Sequence, residues 1–295
     1  MERPEDADID RAEAALNARP VAWERVRRGG QTAAGRWIAT LPDGSTAFVK
    51  IGMTLDTASW VRDEHLFYAR VGVAPFLPNR LGWFDDGEHP VLALEDLSAA
   101  HWPPPWEPSS VAAVVACLEE VAGTAPPPDL PGAENSQWGL DGWPEIAADP
   151  GPFLSLGLCS SAWLDRALPL LAEASSRASF EGEALLHFDV RSDNICLRDG
   201  RAILIDWNFA CVGNPLFDLA AWLPSLHVEG GPAPEEVLPT TDRVAEIASL
   251  LAGNFCTRAP RPPIPEARHV RPLQLMQART ALPWAARAVG LPPPA

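Results

Sequence analysis

The chemistry-bearing residues of this chain concentrate in one stretch, His187-Phe188-Asp189-Val190-Arg191-Ser192-Asp193-Asn194, and in Asp206 beyond it. Ala184-Leu185-Leu186 leads into the first and Ile203-Leu204-Ile205 into the second. Two short strand-like runs thus read as a strand pair that delivers polar side chains at or just past its ends, with a turn at Arg198-Asp199-Gly200-Arg201 between them, its Gly where a hairpin wants it. A carboxylate, a carboxamide and a second carboxylate can hold a hard cation and a base beside one substrate. His187 and Asp189 alone would also suit two ligands on one face of a metallohydrolase site. That alternative loses force because asparagine is a poor zinc ligand and no other histidine is near in sequence. His101, His227 and His269 lack helical metal-ligand spacing.

These groups need elements to position them. A short helix is expected over 8–18. Strands follow over 22–28, 36–41 and 46–51, with Pro42-Asp43-Gly44-Ser45 as a turn. The small-residue loop 29–35 either brings backbone N–H groups to phosphates or simply connects a hairpin. Thr46–Ile51 carries one lysine, Lys50, among apolar residues. The next segment, 56–71, reads as a helix with Asp56 or Thr57 as N-cap. Trp60, Glu64, Phe67 and Val71 share one of its faces, so Glu64 points inward. A buried carboxylate needs a partner, and Lys50 on the preceding strand supplies one. Strands are expected over 80–84 and 91–94, joined by Asp85-Asp86-Gly87-Glu88. Past residue 97 the composition turns Pro/Trp-rich and then helical, over 109–123, 160–179, from 218, over 241–257 and over 267–289. The last is expected to break at Pro272 or Pro283.

Composition narrows the function classes. The 295 residues are 47% apolar, enough for two lobes or one large domain. No uninterrupted apolar stretch is long enough to span a membrane. The net charge of −16 leaves no basic footprint for nucleic acid. Such acidity serves solubility or suits a cationic small molecule. The five cysteines are scattered without a CxxC pair, which favours free thiols in a reducing compartment. With a charged Met1–Asp6 and no apolar signal core there, a cytoplasmic protein is expected. No G-x-S-x-G supports a serine nucleophile. Of the twelve tryptophans, Trp102, Trp106, Trp138 and Trp143 fall in irregular segments, where they either line a substrate pocket or pack under long loops.

Taken together these residues resemble the protein-kinase-like fold in its small-molecule branch, that of aminoglycoside phosphotransferases and of macrolide and choline kinases. The kinase loop His-x-Asp-x-x-x-x-Asn fits 187–194. Ile205-Asp206-Trp207 carries tryptophan where protein kinases carry Phe-Gly, and Phe217-Asp218-Leu219-Ala220 also resembles that branch. No Ala-Pro-Glu is present. The resemblance implies an α+β, two-lobed fold: a β-rich nucleotide-binding lobe over 1–97, a hinge at 95–98, and a helical lobe over 98–295. It implies ATP and Mg²⁺ as cofactors, with Asp189 as catalytic base and Asn194 and Asp206 as metal ligands. Lys50, paired with Glu64, would contact the α- and β-phosphates, Thr32 the phosphates from the loop, and backbone from Glu95 to Leu97 the adenine. His187 and Asp218 would support the loop. Arg191 either neutralises phosphate or pairs with Asp193 or another surface carboxylate, and Asp193 itself reads as a surface residue.

The acceptor implied is a hydroxyl of a small molecule, with no nucleic-acid or membrane partner, and the chain a monomer or homodimer. Acidic residues of the helical half, Asp165, Glu229, Glu235, Glu236 and Asp242, would suit an amino sugar or another cationic antibiotic. A sugar, an amino alcohol or a nucleoside would fit the same loop. The alternative of a non-catalytic nucleotide-binding pseudokinase is opposed by the intact set of Lys50, Asp189, Asn194 and Asp206.

Overall fold

The structure, a computed structural model, describes residues 2–27, 33–135, 140–265 and 267–294; Thr32 and Trp138 lie outside the described residues. Helix α1 (Asp6–Leu16) leads into strands β1 (Ala22–Arg25), β2 (Gly35–Thr40) and β3 (Thr46–Ile51). Helix α2 (Leu55–Val71) follows, then β4 (Arg80–Phe84) and β5 (Val91–Glu95). The five strands form one antiparallel sheet in the order β1-β2-β3-β5-β4, which puts β3 at its centre.

Alternation along β3 sorts its side chains between the two faces of the sheet. Val49 and Ile51 join Trp23, Trp37, Val91 and the α1 residues Ile9, Ala12 and Ala15 in one core. Phe48 and Lys50 therefore face the other way, toward α2. The start of α2 packs hard against the end of β3 because residue 52 is glycine. A Cβ there would lie 2.6 Å from the Cα of Ala58. A capping box between Thr54 and Thr57 closes the first turn, so the N-cap is Thr54 rather than Asp56 or Thr57. Thr57 does contribute, but from the third helical position.

The second half contains α3 (Pro108–Gly123), α4 (Trp143–Ala148), α5 (Gly151–Leu154) and α6 (Ser161–Ser176). Four short strands follow: β6 (Ala184–Leu186), β7 (Ile195–Arg198), β8 (Arg201–Leu204) and β9 (Cys211–Gly213). The chain ends with α7 (Leu216–Val228), α8 (Pro234–Val237), α9 (Asp242–Arg258) and α10 (Val270–Ala288). A sheet with helices gathered beyond it makes the fold α+β.

Two expectations fail here. The run at 184–186 does not pair with the run at 203–205. Strand β6 pairs with β9, and β8 pairs with β7. Asp199 and Gly200 both have positive φ, 52° and 75°, which suits a two-residue type I′ turn, and such a turn joins the strands that flank it directly. Apolar runs announce strands but do not name their partners. Nor does the last helix break. Pro272 falls in the first turn of α10, where its missing N–H has no helical acceptor, and Pro283 is accommodated within a helix that packs along α9. Among the described residues no helix is long and apolar enough to cross a membrane.

Candidate active site

The stretch 187–194 is the loop from β6 to β7, and Asp206 follows β8. Leu185 and Leu186 are fully buried and carry the chain into the core, so His187 is buried as well. Burial depresses the His187 imidazole and keeps it neutral, against a weaker pull from Asp218. Its Nδ1 accepts from the Asp189 N–H at 3.2 Å, and its Nε2 donates to the Ile205 carbonyl at 2.8 Å. The ring thus ties the loop to the strand that delivers Asp206. Asp218, in the first turn of α7, holds the loop from the other side. Its carboxylate accepts from the N–H groups of His187 (2.6 Å) and Phe188 (2.8 Å). Phe188 sits at a φ of 65°, a conformation costly for a bulky L-residue. The two bonds to Asp218 fix it there.

Asp189 faces a cleft of about 900 Å³ that Lys50, Arg191, Asp206 and Asp218 also line. Its Oδ2 accepts from Asn194 Nδ2 at 3.1 Å, and the same Nδ2 donates to the Asp189 carbonyl at 2.9 Å. Burial raises the Asp189 carboxyl to about 6; the Arg191 guanidinium, 3.5 Å away, pulls against that, and Asp206 and Asp193 add to it. The result is a carboxylate poised as a base close to neutral pH.

Both Asn194 donations use its Nδ2, and no hydrogen bond engages its Oδ1 among the described residues. Asp206 adopts left-handed backbone (φ 69°), which aspartate tolerates, and turns its carboxylate into the cleft. Burial alone would raise that carboxyl, but Lys50, then Arg36 and Arg191, outweigh it and hold it at about 2. A carboxamide oxygen and a carboxylate that is ionised at any working pH fit a hard divalent cation such as Mg²⁺. Among the described residues no three His, Cys, Asp or Glu side chains converge to hold a metal on their own. A cation here would complete its shell with phosphate oxygens and water, as Mg²⁺ commonly does.

Lys50 reaches across from the sheet. Its Nζ donates to Glu64 at 2.7 Å and also to Asp206. Both Lys50 and Glu64 are buried. Burial works against the ammonium charge, and Asp206 and Glu64 overcome it, so Lys50 stays protonated. Arg36 on β2, in register with Lys50, adds another cation. Its charge is opposed by burial and supported first by Asp206 and then by Glu64. Aromatic packing fixes the two halves together at this point. Trp207 is fully buried, stacks on Phe67 of α2 with 4.4 Å between centroids, and lies 4.5 Å from the His187 ring. Phe67 is one turn past Glu64, so one stack sets both α2 and the segment carrying Asp206.

The structure therefore brings Lys50, Asp189, Asp206 and Asp218 to one cleft. Glu64, His187 and Asn194 are each bonded to one of its lining residues. Glu95 and Leu97 do not line it. The Glu95 carboxylate takes Asn79 (3.0 Å) and Arg198, and the Leu97 carbonyl accepts from Trp102 Nε1 at 3.0 Å. Asp193 is not a surface carboxylate: it is partly buried, with Arg191 3.0 Å away. The acidic residues expected to meet a cationic substrate do not line the cleft either. Glu229 accepts from Ser192 and Trp106, Glu235 pairs with Arg287, Glu236 caps α8, and Asp165 and Asp242 are exposed. Trp102, Trp106 and Trp143 pack rather than line it. Residues that the sequence reading passed over do: Asn208, Asn254, Arg258, Arg261, Arg271 and Gln274. They lie outside any motif, and no spacing in the chain signals them.

Residues 22–240 match the family described as "Phosphotransferase enzyme family". No curated protein matches the chain. Several solved structures share its fold. An aminoglycoside phosphotransferase from Alicyclobacillus acidocaldarius is 14% identical, with 98% of this chain and 94% of that one covered at a TM-score of 0.60. A thermostable mutant of aminoglycoside phosphotransferase APH(4)-Ia, in ternary complex with AMP-PNP and hygromycin B, is 15% identical, with 96% and 98% covered and a TM-score of 0.57. A candidate fructosamine-3-kinase from Thermobifida fusca is 22% identical, with 93% and 98% covered and a TM-score of 0.54. At these identities the likeness is one of fold, and that fold is the protein-kinase-like one.

Proposed function

The chain belongs to the phosphotransferase enzyme family, and we propose that it transfers the γ-phosphoryl group of Mg²⁺-bound ATP to a hydroxyl of a small molecule. One observation carries this reading. Lys50, drawn from the sheet and held by Glu64, meets Asp206 in the same cleft where Asp189 and Asn194 bond each other. Those groups are what phosphoryl transfer needs: a fixed cation for phosphates, hard oxygen ligands, and a base for the acceptor. In this reading residues 1–97 bind the nucleotide, 95–98 form the hinge with backbone of Glu95 and Leu97 toward the adenine, and 98–295 carry the catalytic loop and acceptor site.

Lys50 would neutralise the α- and β-phosphates, with Arg36 adding charge beside it. Asn194 Oδ1 and the Asp206 carboxylate would hold Mg²⁺, which when bound draws off negative charge from the β- and γ-phosphate oxygens. Asp189 would accept the hydroxyl proton as the acceptor oxygen bonds to the γ-phosphorus and the bond from that phosphorus to the β–γ bridging oxygen breaks, leaving ADP. Arg191, beside Asp189, would face the charge on the transferred group. Catalysis is then mainly positioning and charge neutralisation. Asp189→Ala tests it: turnover of a working acceptor should vanish while Mg·ATP still binds by calorimetry. Turnover close to that of the parent protein would refute the assignment.

A further inference from the structure

The far wall of the cleft has a composition of its own. Arg258 ends α9, Arg271 stands in the first turn of α10, Arg261 lies between them, and all three line the cleft that Asp189 faces. They are close enough to disfavour one another's charge. Arg258 is lowered by burial first and then by Arg261 and Arg271, and Arg271 by burial and then by Arg261. Arg271 bonds neutral groups, the Pro262 carbonyl (3.1 Å) and Gln274 Oε1 (2.8 Å), while Arg261 reaches Glu145 at 2.6 Å. The carboxylates among the described lining residues are Asp189, Asp206 and Asp218 of the catalytic loop side and Asp56 of α2, and none comes from this wall. In a protein of net charge −16, three arginines share this wall. Asn254, one turn before Arg258 on α9, lines the same cleft. It is 7% exposed, and its Oδ1 is buried without a hydrogen-bond partner.

We propose that the acceptor carries, besides the hydroxyl that is phosphorylated, an anionic group, a carboxylate or a phosphate, bound at the wall formed by Arg271, Arg258 and Arg261, with Asn254 Oδ1 accepting from a further hydroxyl. This rests on the phosphotransferase reading above and names the substrate class for it. Guanidinium groups pair with carboxylate and phosphate through parallel N–H donors. A polycationic acceptor would meet like charge on this wall, which costs affinity and so selects against it.

The test measures ADP release from Mg·ATP with matched compounds: glycerol, glycerate and glycerol phosphate; glucose, gluconate and glucose phosphate; and kanamycin as polycation. An anionic member should exceed its neutral parent by about tenfold or more in kcat/KM, the size of effect one missing contact produces. The carboxylate and phosphate arms tell the two anions apart. Arg271→Gln should remove most of that preference with the KM for ATP unchanged, and Arg271→Lys should restore part of it. Circular dichroism checks that both variants are folded. Preference for a neutral member or kanamycin, no turnover of any anionic member while Mg·ATP binds, or an unmoved preference in Arg271→Gln overturns the inference and leaves the phosphotransferase reading standing. No Mg·ATP binding and no ADP release with any compound overturns that reading itself.

Discussion

The two walls of the cleft are built differently. The wall of the catalytic loop is compact in sequence, bonded to itself and acidic, with Asp189, Asn194 and Asp206 supported by His187 and Asp218. The opposite wall is assembled from the end of α9, the start of α10 and the link between them. It is basic, with Arg271 bonded to neutral groups and Arg261 to Glu145. The first is suited to run one chemical step, the second to choose what undergoes it. A contiguous loop can be held to tight tolerances by a few backbone bonds, whereas a wall of side chains from separate elements can change its preference without disturbing the reaction.

The contrast can be broken most severely from the catalytic side. Asp189→Asn should lower kcat by about a hundredfold to ten-thousandfold, the usual worth of a positioned base. Mg·ATP affinity should stay within a few fold by calorimetry. Asp206→Asn should instead abolish the Mg²⁺ dependence of nucleotide binding, so that titrations with and without Mg²⁺ coincide.

A pH profile sharpens the same point. With the Asp189 carboxyl at about 6, the base is ionised only above that pH. Log kcat should rise with unit slope below about pH 6 and level off above it. Stability runs the other way. A carboxyl raised by burial binds its proton more tightly folded than unfolded, so ionising it costs stability as pH climbs from the ordinary aspartate range through 6. Asp189→Asn should therefore melt higher than the parent protein at pH 8 and no higher at pH 4. Equal melting shifts at both values would contradict the burial of this group.

Supporting residues should give intermediate effects. Asp218→Ala leaves the N–H groups of His187 and Phe188 without their acceptor, at a cost of about 1–3 kcal/mol each when buried. Thermal unfolding should show a drop of several degrees, with kcat reduced as Phe188 relaxes from its positive φ. The smallest effect belongs to Glu235→Gln and Glu236→Gln. These carboxylates serve Arg287 and the α8 cap and not the cleft, so steady-state kinetics should not move.

How much of this was legible in the sequence follows the same division. His187 to Asn194 and Asp206 could be read because eight consecutive residues and one apolar strand carry nearly all the information. Lys50 and Glu64 could be read because strand alternation and helical periodicity each predict an inward charge, and two inward charges need each other. Arg258, Arg271 and Asn254 could not, because only the packing of α10 along α9 brings them to a common surface. Arg36 was missed although it is across from Lys50, since the register of β2 against β3 is set by the fold. The pairing of β6 with β9 was hidden for the same reason: residues 184–186 and 211–213 are joined through a loop, a hairpin and a turn, and nothing local specifies their meeting.

The proposed division of labour gives Asp189 the chemical step and Lys50 and Asp206 the nucleotide. Single-turnover phosphoryl transfer to a working acceptor, measured in Asp189→Asn beside Mg·ATP binding in the same preparation, tests it most directly. Transfer should slow by at least about a hundredfold with binding retained. Transfer at the parent rate, or a loss explained wholly by lost Mg·ATP binding, would contradict it.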